Sequence, residues 1–145
     1  RVLFRSYWNR HMATKQTLMG KWFVTGDKYS VDDEGYYWYA GRADDMFKVH
    51  GQWVSPPQVE SVLLGHDGVR EVAVVAATDD EGLSCGLAFV VPVGTANKSL
   101  AVALLEHAAS NLSRYLVPAR IKFVDELPKT ATGKIRRYLL RDQIG

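Results

Sequence analysis

Long apolar runs in the second half of the chain predict the strands of a buried sheet. Residues 69–78 and 83–93 are rich in valine, alanine and other apolar residues, and a polar turn separates them, as in a β-hairpin. Because few polar residues interrupt these runs, we expect both faces of the hairpin to be covered. A shorter apolar run at residues 119–124 predicts a third strand.

Three segments show the spacing of helices. The first opens with the N-cap serine, first-turn proline and N3 glutamine of a capping box, formed by Ser55, Pro56 and Gln58. We expect this helix to end near Gly65. Residues 99–115 carry an apolar stripe that Pro118 terminates, and residues 134–144 predict a closing helix that begins at Lys134.

The first half of the chain predicts only short helices and strands. Residues 12–18 predict a short helix within a loop. Residues 22–24 and 36–40 predict two strands, which a polar turn would join as a hairpin. Residues 46–49 and 52–54 predict a second, tighter hairpin with its turn at a His-Gly pair.

The order of elements predicts the fold class. From Asp45 onward the order is hairpin, helix, two strands, helix, strand and helix, which is an α+β domain. The junction at residues 42–45 lies between two β segments and has no Pro/Gly-rich linker. It therefore indicates a hinge rather than a flexible tether, and we place a boundary between residues 7–43 and residues 44–145.

Composition narrows the class of protein. Of the 145 residues, 47% are hydrophobic, enough for a core, and the net charge of +2 does not indicate a nucleic-acid partner. No apolar run approaches the roughly 20 residues that a membrane-spanning helix needs. The single Cys85 lies in an apolar run, where it acts as a small hydrophobe, and it excludes an internal disulfide framework. These features predict a cytoplasmic protein.

The spacing of reactive residues argues against two kinds of site. Zinc sites need His or Cys ligands at close, regular spacing. The histidines show no such spacing; they are His11, His50, His66 and His107. No serine stands in a nucleophile-elbow pattern. The sequence therefore predicts neither a metal ligand nor a hydrolase nucleophile.

Two stretches carry more functional groups than a structural turn needs. Residues 41–56 combine two cations, two adjacent acids and two glycines between an aromatic run and the first predicted helix. Residues 127–135 place Lys134 at a predicted helix start, where the helix macrodipole disfavours a cation. A cation placed against the local electrostatics invites a functional interpretation.

Together with Thr25-Gly26-Asp27 upstream, these two stretches resemble three ordered signatures of the adenylate-forming (AMP-forming) acyl-CoA synthetases. The order and approximate spacing match across nearly the whole chain. The segments most similar to the benzoate–CoA ligase branch are residues 7–9, 28–29 and 51–56. The resemblance implies that residues 44–145 form the small C-terminal lid domain of such an enzyme. It also implies that residues 7–43 are the trailing β segments of a large N-terminal AMP-binding domain.

The first six residues differ from the rest of the chain. Residues 1–6 contain no initiator Met, and they back-translate into a common sequencing-adapter end. The family resemblance begins at about Tyr7. We therefore expect residues 1–6 to be an artefact that takes no part in the fold.

The resemblance implies roles for three residues in the nucleotide step. Asp27 would accept hydrogen bonds from the ribose hydroxyls, and Arg42 would contact the nucleotide beside it. Lys134 would be the catalytic residue, with its ammonium stabilising the charge that develops on the α-phosphate. The structural alternatives are a turn-forming aspartate, a surface arginine and a solvated lysine.

The resemblance implies further roles around the junction. Asp44 matches the hinge residue whose backbone changes as the small domain rotates; alternatively it is a loop acid that caps the next hairpin. Lys48, Gly51 and Trp53 lie in the hairpin that would face the active site during the thioester step, where Gly51 lets the backbone pass close to the CoA arm. Many relatives carry a basic residue near the position of Trp53, so its alternative role is packing.

The implied activity is a two-step ligation. A carboxylic acid, ATP and CoA would give acyl-CoA, AMP and pyrophosphate, with Mg²⁺ as the metal of the ATP. An aromatic acid such as benzoate is the implied substrate, and the chain by itself is expected to be inactive. The alternatives are a medium-chain acyl-CoA synthetase, a peptide-synthetase adenylation domain and a non-catalytic α+β interaction module. Homo-oligomer formation is left open.

Overall fold

A three-stranded sheet organises the second half of the computed structural model, which describes residues 6–144. Residues 1–5 lie outside the described part, so the predicted artefact at residues 1–6 stays a prediction. The sheet strands, numbered by their place in the whole chain, are β7 (Val69–Thr78), β8 (Ser84–Pro92) and β9 (Arg120–Phe123). β7 pairs antiparallel with β8, and β9 lies parallel to β8 on its other side.

Other elements precede and flank this sheet. The short elements before it are α1 (His11–Thr17), β1 (Leu18–Met19), β2 (Trp22–Phe23), β3 (Asp27–Val31), β4 (Tyr37–Arg42), β5 (Phe47–Val49) and β6 (Gln52–Val54). The remaining helices are α2 (Pro56–Leu64), α3 (Lys98–Asn111) and α4 (Arg137–Arg141), with a 3₁₀ turn at Arg114–Leu116. The predicted short helix, the tight second hairpin and the α+β order are confirmed.

The sheet is covered on both faces, as its apolar runs predict. Alternate residues of a strand point to opposite faces, and β7 follows this rule: Val72 and Val74 join one core, Ala73 and Val75 the other. The first core also contains residues of β5, β6, α2 and α3. The second core contains Leu127 and Leu140, the buried residue of α4. We call these the hairpin-side layer and the α4-side layer.

The helix predicted at residues 99–115 is shorter than expected. α3 begins one residue earlier, where the N-cap Asn97 accepts a hydrogen bond from the Leu100 amide at 2.8 Å. It ends at Asn111 because Leu112 takes an extended conformation. The 3₁₀ turn that follows brings Leu116 into the core before Pro118 is reached.

The start of α2 is predicted correctly, but its capping box is wrong. The Ser55 side chain makes no cap hydrogen bond, and its hydroxyl instead donates to the Ala40 carbonyl. This bond ties the end of β4 to the first turn of α2. The helix ends at the predicted Gly65, which has an ordinary helical φ of −70° rather than a left-handed one.

The predicted pairing of residues 22–24 with residues 36–40 is also wrong. β2 pairs with β1, and the partner of β4 is β3. Asp32 explains this preference, since its carboxylate accepts hydrogen bonds from the Trp38 indole and the Tyr36 and Glu34 amides. These bonds, the Trp38 bond foremost, lower the pKa of Asp32. The tight turn that they close pairs β4 with the strand immediately before it.

The predicted closing helix at residues 134–144 is reduced to α4. Residues 134–136 are held outside the helix by the Lys129–Ile135 bridge and by two backbone hydrogen bonds, from the Thr130 amide to the Lys134 carbonyl and from the Arg136 amide to the Pro128 carbonyl. Lys134 therefore lies in a turn before the helix, and the macrodipole argument for this residue is wrong.

The structure also describes the single cysteine and the lengths of the helices. Cys85 is 7% exposed and has no disulfide partner, and burial raises the pKa of its thiol; its role as a small buried hydrophobe is confirmed. Within residues 6–144, none of the helices combines the length and hydropathy that crossing a bilayer requires.

Replacing Gly51 with alanine is expected to destabilise the 145-residue chain by about 1–2 kcal/mol. Gly51 has a φ of +79°, and an added Cβ would meet no atom within 4 Å, so the cost comes from the backbone alone. Urea unfolding measures it. Gly94→Ala is the matched control, since Gly94 is equally open and outside the left-handed region. Equal shifts for both variants would contradict the backbone explanation.

Candidate nucleotide-binding and catalytic site

Asp27 and Arg42 form the best-defined part of the predicted site. They are cross-strand partners at the start of β3 and the end of β4, and their side chains form an ion pair of 3.2 Å. The guanidinium also donates to the Thr25 carbonyl at 2.9 Å. Arg42 thus orients the Asp27 carboxylate by a charge-assisted bond.

Gly26 explains the Thr-Gly-Asp pattern. Its φ is +76°, and a Cβ there would lie 3.1 Å from Nη2 of Arg42. A side chain would therefore both strain the backbone and displace the guanidinium from Asp27. Within residues 6–144, the Asp27 side chain accepts a hydrogen bond only at Oδ1, and its ribose-binding role stays a prediction.

Asp44 lies in the turn that joins β4 to β5. Its carboxylate is exposed and lies 3.9 Å from Nη2 of Arg42, and a pair at this distance in water contributes little to stability. The turn itself is held by the Asp45 and Met46 amides, which both donate to the Arg42 carbonyl. The junction is thus a tight turn with an exposed centre, and the hinge role of Asp44 stays a prediction.

The β5–β6 hairpin brings Lys48 and Trp53 together as cross-strand partners. The Lys48 ammonium lies 4.8 Å from the centroid of the Trp53 ring, a cation–π arrangement. Trp53 is 58% exposed and lines a cleft of about 300 Å³ that extends to β3 and β4. Gly51 forms the hairpin tip with His50, whose φ is also positive.

Lys134 is presented by a closed turn. The Thr130 amide donates to the Lys134 carbonyl at 2.8 Å, and the Lys134 amide donates to the Thr130 hydroxyl at 3.1 Å. Lys129, at the base of the turn, pairs with both carboxylate oxygens of Glu71 on β7, at 2.8 and 2.7 Å. The Lys134 ammonium is exposed and pairs with no other described residue. Hydrogen bonds therefore hold the backbone of Lys134, while its ammonium remains exposed to solvent.

The structure brings the predicted residues together in two groups. Asp27, Arg42 and Asp44 form one, and Lys48 with Trp53 forms the other. No hydrogen bond or ion pair within the described part of the chain joins Lys134 to either group.

A further set of charged residues was not predicted from the sequence. Arg137 on α4 binds both carboxylate oxygens of Glu60 at 2.8 Å and reaches Asp45 at 3.4 Å, and Arg141 also pairs with Asp45. Glu60 is the one charged residue among the buried positions of α2. A carboxylate on the apolar face of a helix was the signal that could have indicated this network.

Within residues 6–144, no group of three or more His, Cys, Asp or Glu side chains is arranged to hold a metal ion.

Comparison with known proteins identifies the family. The model of the AMP-binding enzyme C-terminal domain matches residues 58–134. The benzoate–CoA ligase of Thauera aromatica is 51% identical over 93% of the chain, and the 4-hydroxybenzoate–CoA/benzoate–CoA ligase of Rhodopseudomonas palustris is 43% identical over 94%. In both cases the match covers 26% of that protein, so the chain spans about a quarter of the length of these curated relatives.

A solved structure agrees with these relatives. The crystal structure of the anthranilate CoA ligase AuaEII, in complex with anthranoyl-AMP, superposes with a TM-score of 0.90 and 45% identity. The match covers 96% of this chain and 27% of that one. The resemblance to AMP-forming acyl-CoA synthetases and the predicted α+β fold class are therefore confirmed, and the chain belongs to the family of AMP-binding enzyme C-terminal domains.

Proposed function

We propose that the chain is the C-terminal part of an ATP-dependent acid–CoA ligase that acts on an aromatic acid such as benzoate. The observation that carries the proposal is the closed turn that holds Lys134 with its ammonium exposed, in a member of this family. Residues 44–145 would be the lid domain, and residues 7–43 the end of the larger AMP-binding domain.

In the first step the acid carboxylate attacks the α-phosphorus of ATP and pyrophosphate leaves. Negative charge develops on the non-bridging oxygens of the α-phosphate, and the Lys134 ammonium stabilises it. Asp27 accepts hydrogen bonds from the ribose hydroxyls through its carboxylate, which Arg42 holds in place. The products of this step are an acyl-AMP and pyrophosphate.

In the second step the thiol of CoA attacks the acyl carbonyl and AMP leaves with its phosphate oxygen. The exposed turn at Asp44 supplies the change of backbone by which the lid rotates between the steps. The hairpin that carries Lys48, Gly51 and Trp53 then faces the acyl-AMP, with Gly51 at its tip near the CoA arm.

ATP and CoA are the cosubstrates in this proposal, and Mg²⁺ enters with the ATP phosphates. Use of ATP and CoA, together with the single cysteine, supports a cytoplasmic location.

The experiment uses the full-length protein with ATP, CoA and one of three acids: benzoate, 4-hydroxybenzoate or octanoate. We expect kcat/KM for at least one aromatic acid to exceed that for octanoate by about 10- to 100-fold, the discrimination that a shaped apolar pocket provides. AMP and the thioester are measured by chromatography. The 145-residue chain alone is a control that should form no thioester.

Each other outcome has a definite meaning. Preference for octanoate would retain the ligase and reject the aromatic branch. Transfer to a carrier-protein phosphopantetheine instead of CoA would identify a peptide-synthetase adenylation domain. Absence of AMP formation with every acid would reject the proposed function in favour of a non-catalytic module.

A further inference from the structure

Arg137 connects the two layers that cover the sheet. Its helix, α4, belongs to the α4-side layer through Leu140, whereas Glu60 lies on α2 in the hairpin-side layer beside Val59 and Leu63. Within residues 6–144, the ion pairs of Arg137 and Arg141 join α4 to Glu60 in the hairpin-side layer and to Asp45 at the junction. The network is therefore a bridge rather than a local surface pair.

The bridge passes the free edge of the sheet. β7 is an outer strand, and the Val74 amide on it donates to Oε1 of Glu60 at 2.8 Å. The same carboxylate receives Nη2 of Arg137. Glu60 thus satisfies an edge amide of β7 and fixes the guanidinium at the same place.

The geometry of Arg137 is specific to a guanidinium. Nη2 binds Glu60 while Nη1 reaches Asp45, so one planar group spans two carboxylates. Its Nε is buried and has no hydrogen-bond partner among the described residues. The two carboxylates, bound through Nη1 and Nη2, therefore fix the orientation of the guanidinium.

The two ends of the bridge lie next to the residues that the proposed reaction uses. Arg137 follows Lys134 by one short segment and opens α4, and Asp45 is the immediate neighbour of Asp44. We propose that Arg137 is a positioning residue: by binding Asp45 and Glu60 together, it holds the Lys134 segment in a fixed orientation to the junction. The inference rests on the proposed function, because it assigns Arg137 to the step that uses Lys134.

The two steps depend on this bridge to different degrees. The β5–β6 hairpin is anchored without Arg137, since Phe47, Val49 and Val54 are buried in the first core. The Lys134 turn is closed by the Lys129–Ile135 β-bridge and packs through Ile135 on the second core. Neither contact reaches the junction, which α4 contacts through the pairs of Arg137 and Arg141 with Asp45. Loss of the bridge therefore leaves the thioester hairpin in place and loosens the Lys134 segment relative to the junction.

The test uses Arg137→Lys in the full-length ligase, because lysine keeps the charge but cannot span both carboxylates. Acyl-AMP formation is followed by exchange of labelled pyrophosphate into ATP, and thioester formation by the reaction of supplied benzoyl-AMP with CoA. Wild type and Lys134→Ala are the references, and the melting temperature is measured for every variant. Arg136→Lys is the matched control, since Arg136 is the exposed neighbour outside the network.

We expect Arg137→Lys to lower kcat for acyl-AMP formation by about 10- to 100-fold, the scale of a small misplacement of a catalytic group. KM for ATP and the thioester rate should change by less than about threefold, the scale of ordinary surface substitutions. Arg136→Lys should leave both steps within the same limit. Asp45→Asn, which keeps the Arg137–Glu60 pair but weakens the pairs of Asp45 with Arg137 and Arg141, should show the same selective loss as Arg137→Lys.

Three results would count against the inference. If Arg137→Lys lowers both steps equally and in line with its melting temperature, Arg137 is merely structural. If Asp45→Asn leaves the first step unchanged, the connection to the junction has no role in catalysis. If wild type itself forms no acyl-AMP, the proposed function fails and the inference with it, which distinguishes that failure from the other two.

Discussion

Replacing Lys134 with alanine in the full-length ligase is expected to lower acyl-AMP formation by about 100- to 1,000-fold, the loss typical of removing one preorganised charge-stabilising group. The ammonium acts on charge that develops only as the carboxylate attacks the α-phosphate, so its loss lowers kcat more than substrate binding. Thioester formation from supplied benzoyl-AMP and CoA should stay nearly unchanged, because in that step the β5–β6 hairpin, and not the Lys134 turn, faces the acyl-AMP.

Pyrophosphate exchange measures the first step of this prediction, and a thiol-consumption assay measures the second. Lys98→Ala is the control, since Lys98 is an exposed lysine in the first turn of α3. Unchanged rates in both steps would make Lys134 an ordinary surface lysine. Equal loss in both steps would show that the turn supports the fold rather than the chemistry.

Replacing Leu63 with alanine is expected to destabilise the 145-residue chain by about 2–5 kcal/mol. Leu63 is 0% exposed and lies where α2 packs on the sheet, so its removal loses apolar burial and leaves a cavity. Urea unfolding measures the change through the midpoint, provided that the slope of the transition stays constant.

Leu64 provides a matched control on the same helix. It is the next residue in the chain and is 50% exposed, so Leu64→Ala has the same chemistry without a buried cavity. We expect it to cost less than about 1 kcal/mol. If the two variants shifted the midpoint equally, the packing of α2 against the sheet would differ from the one described here.

Elements that carry their own burial pattern were predictable from the sequence. β7 and β8 are long apolar runs, and the two layers cover both faces of the sheet that they form, which is what such runs indicate. β3 was missed because its sequence, DKYSV, alternates weakly and is largely exposed. Its place was decided by the Asp32 hydrogen bonds to Tyr36 and Trp38, which are local but are not visible in the apolar spacing.

The candidate site, too, was predictable from the sequence only in part. Asp27 and Arg42 were paired from motif order, and the structure shows that their side chains are in contact. The surroundings of Lys134 were not predictable, since apolar spacing started the last helix at Lys134, whereas contacts of residues 134 and 135 with residues 129 and 130 keep the start of that segment outside the helix. The Arg137–Glu60 pair joins residues 77 positions apart, and no local pattern reports a contact over such a distance.

The most direct test of the proposed ligase follows oxygen from the acid to AMP. The full-length protein is incubated with ATP, CoA and benzoate whose carboxyl oxygens carry a heavy isotope, and the AMP is analysed by mass spectrometry. Attack of the carboxylate on the α-phosphorus predicts that each AMP carries one heavy oxygen, because that oxygen stays on phosphorus when the thiol displaces AMP. Formation of unlabelled AMP, or of ADP and phosphate, would contradict the acyl-AMP intermediate on which the account depends.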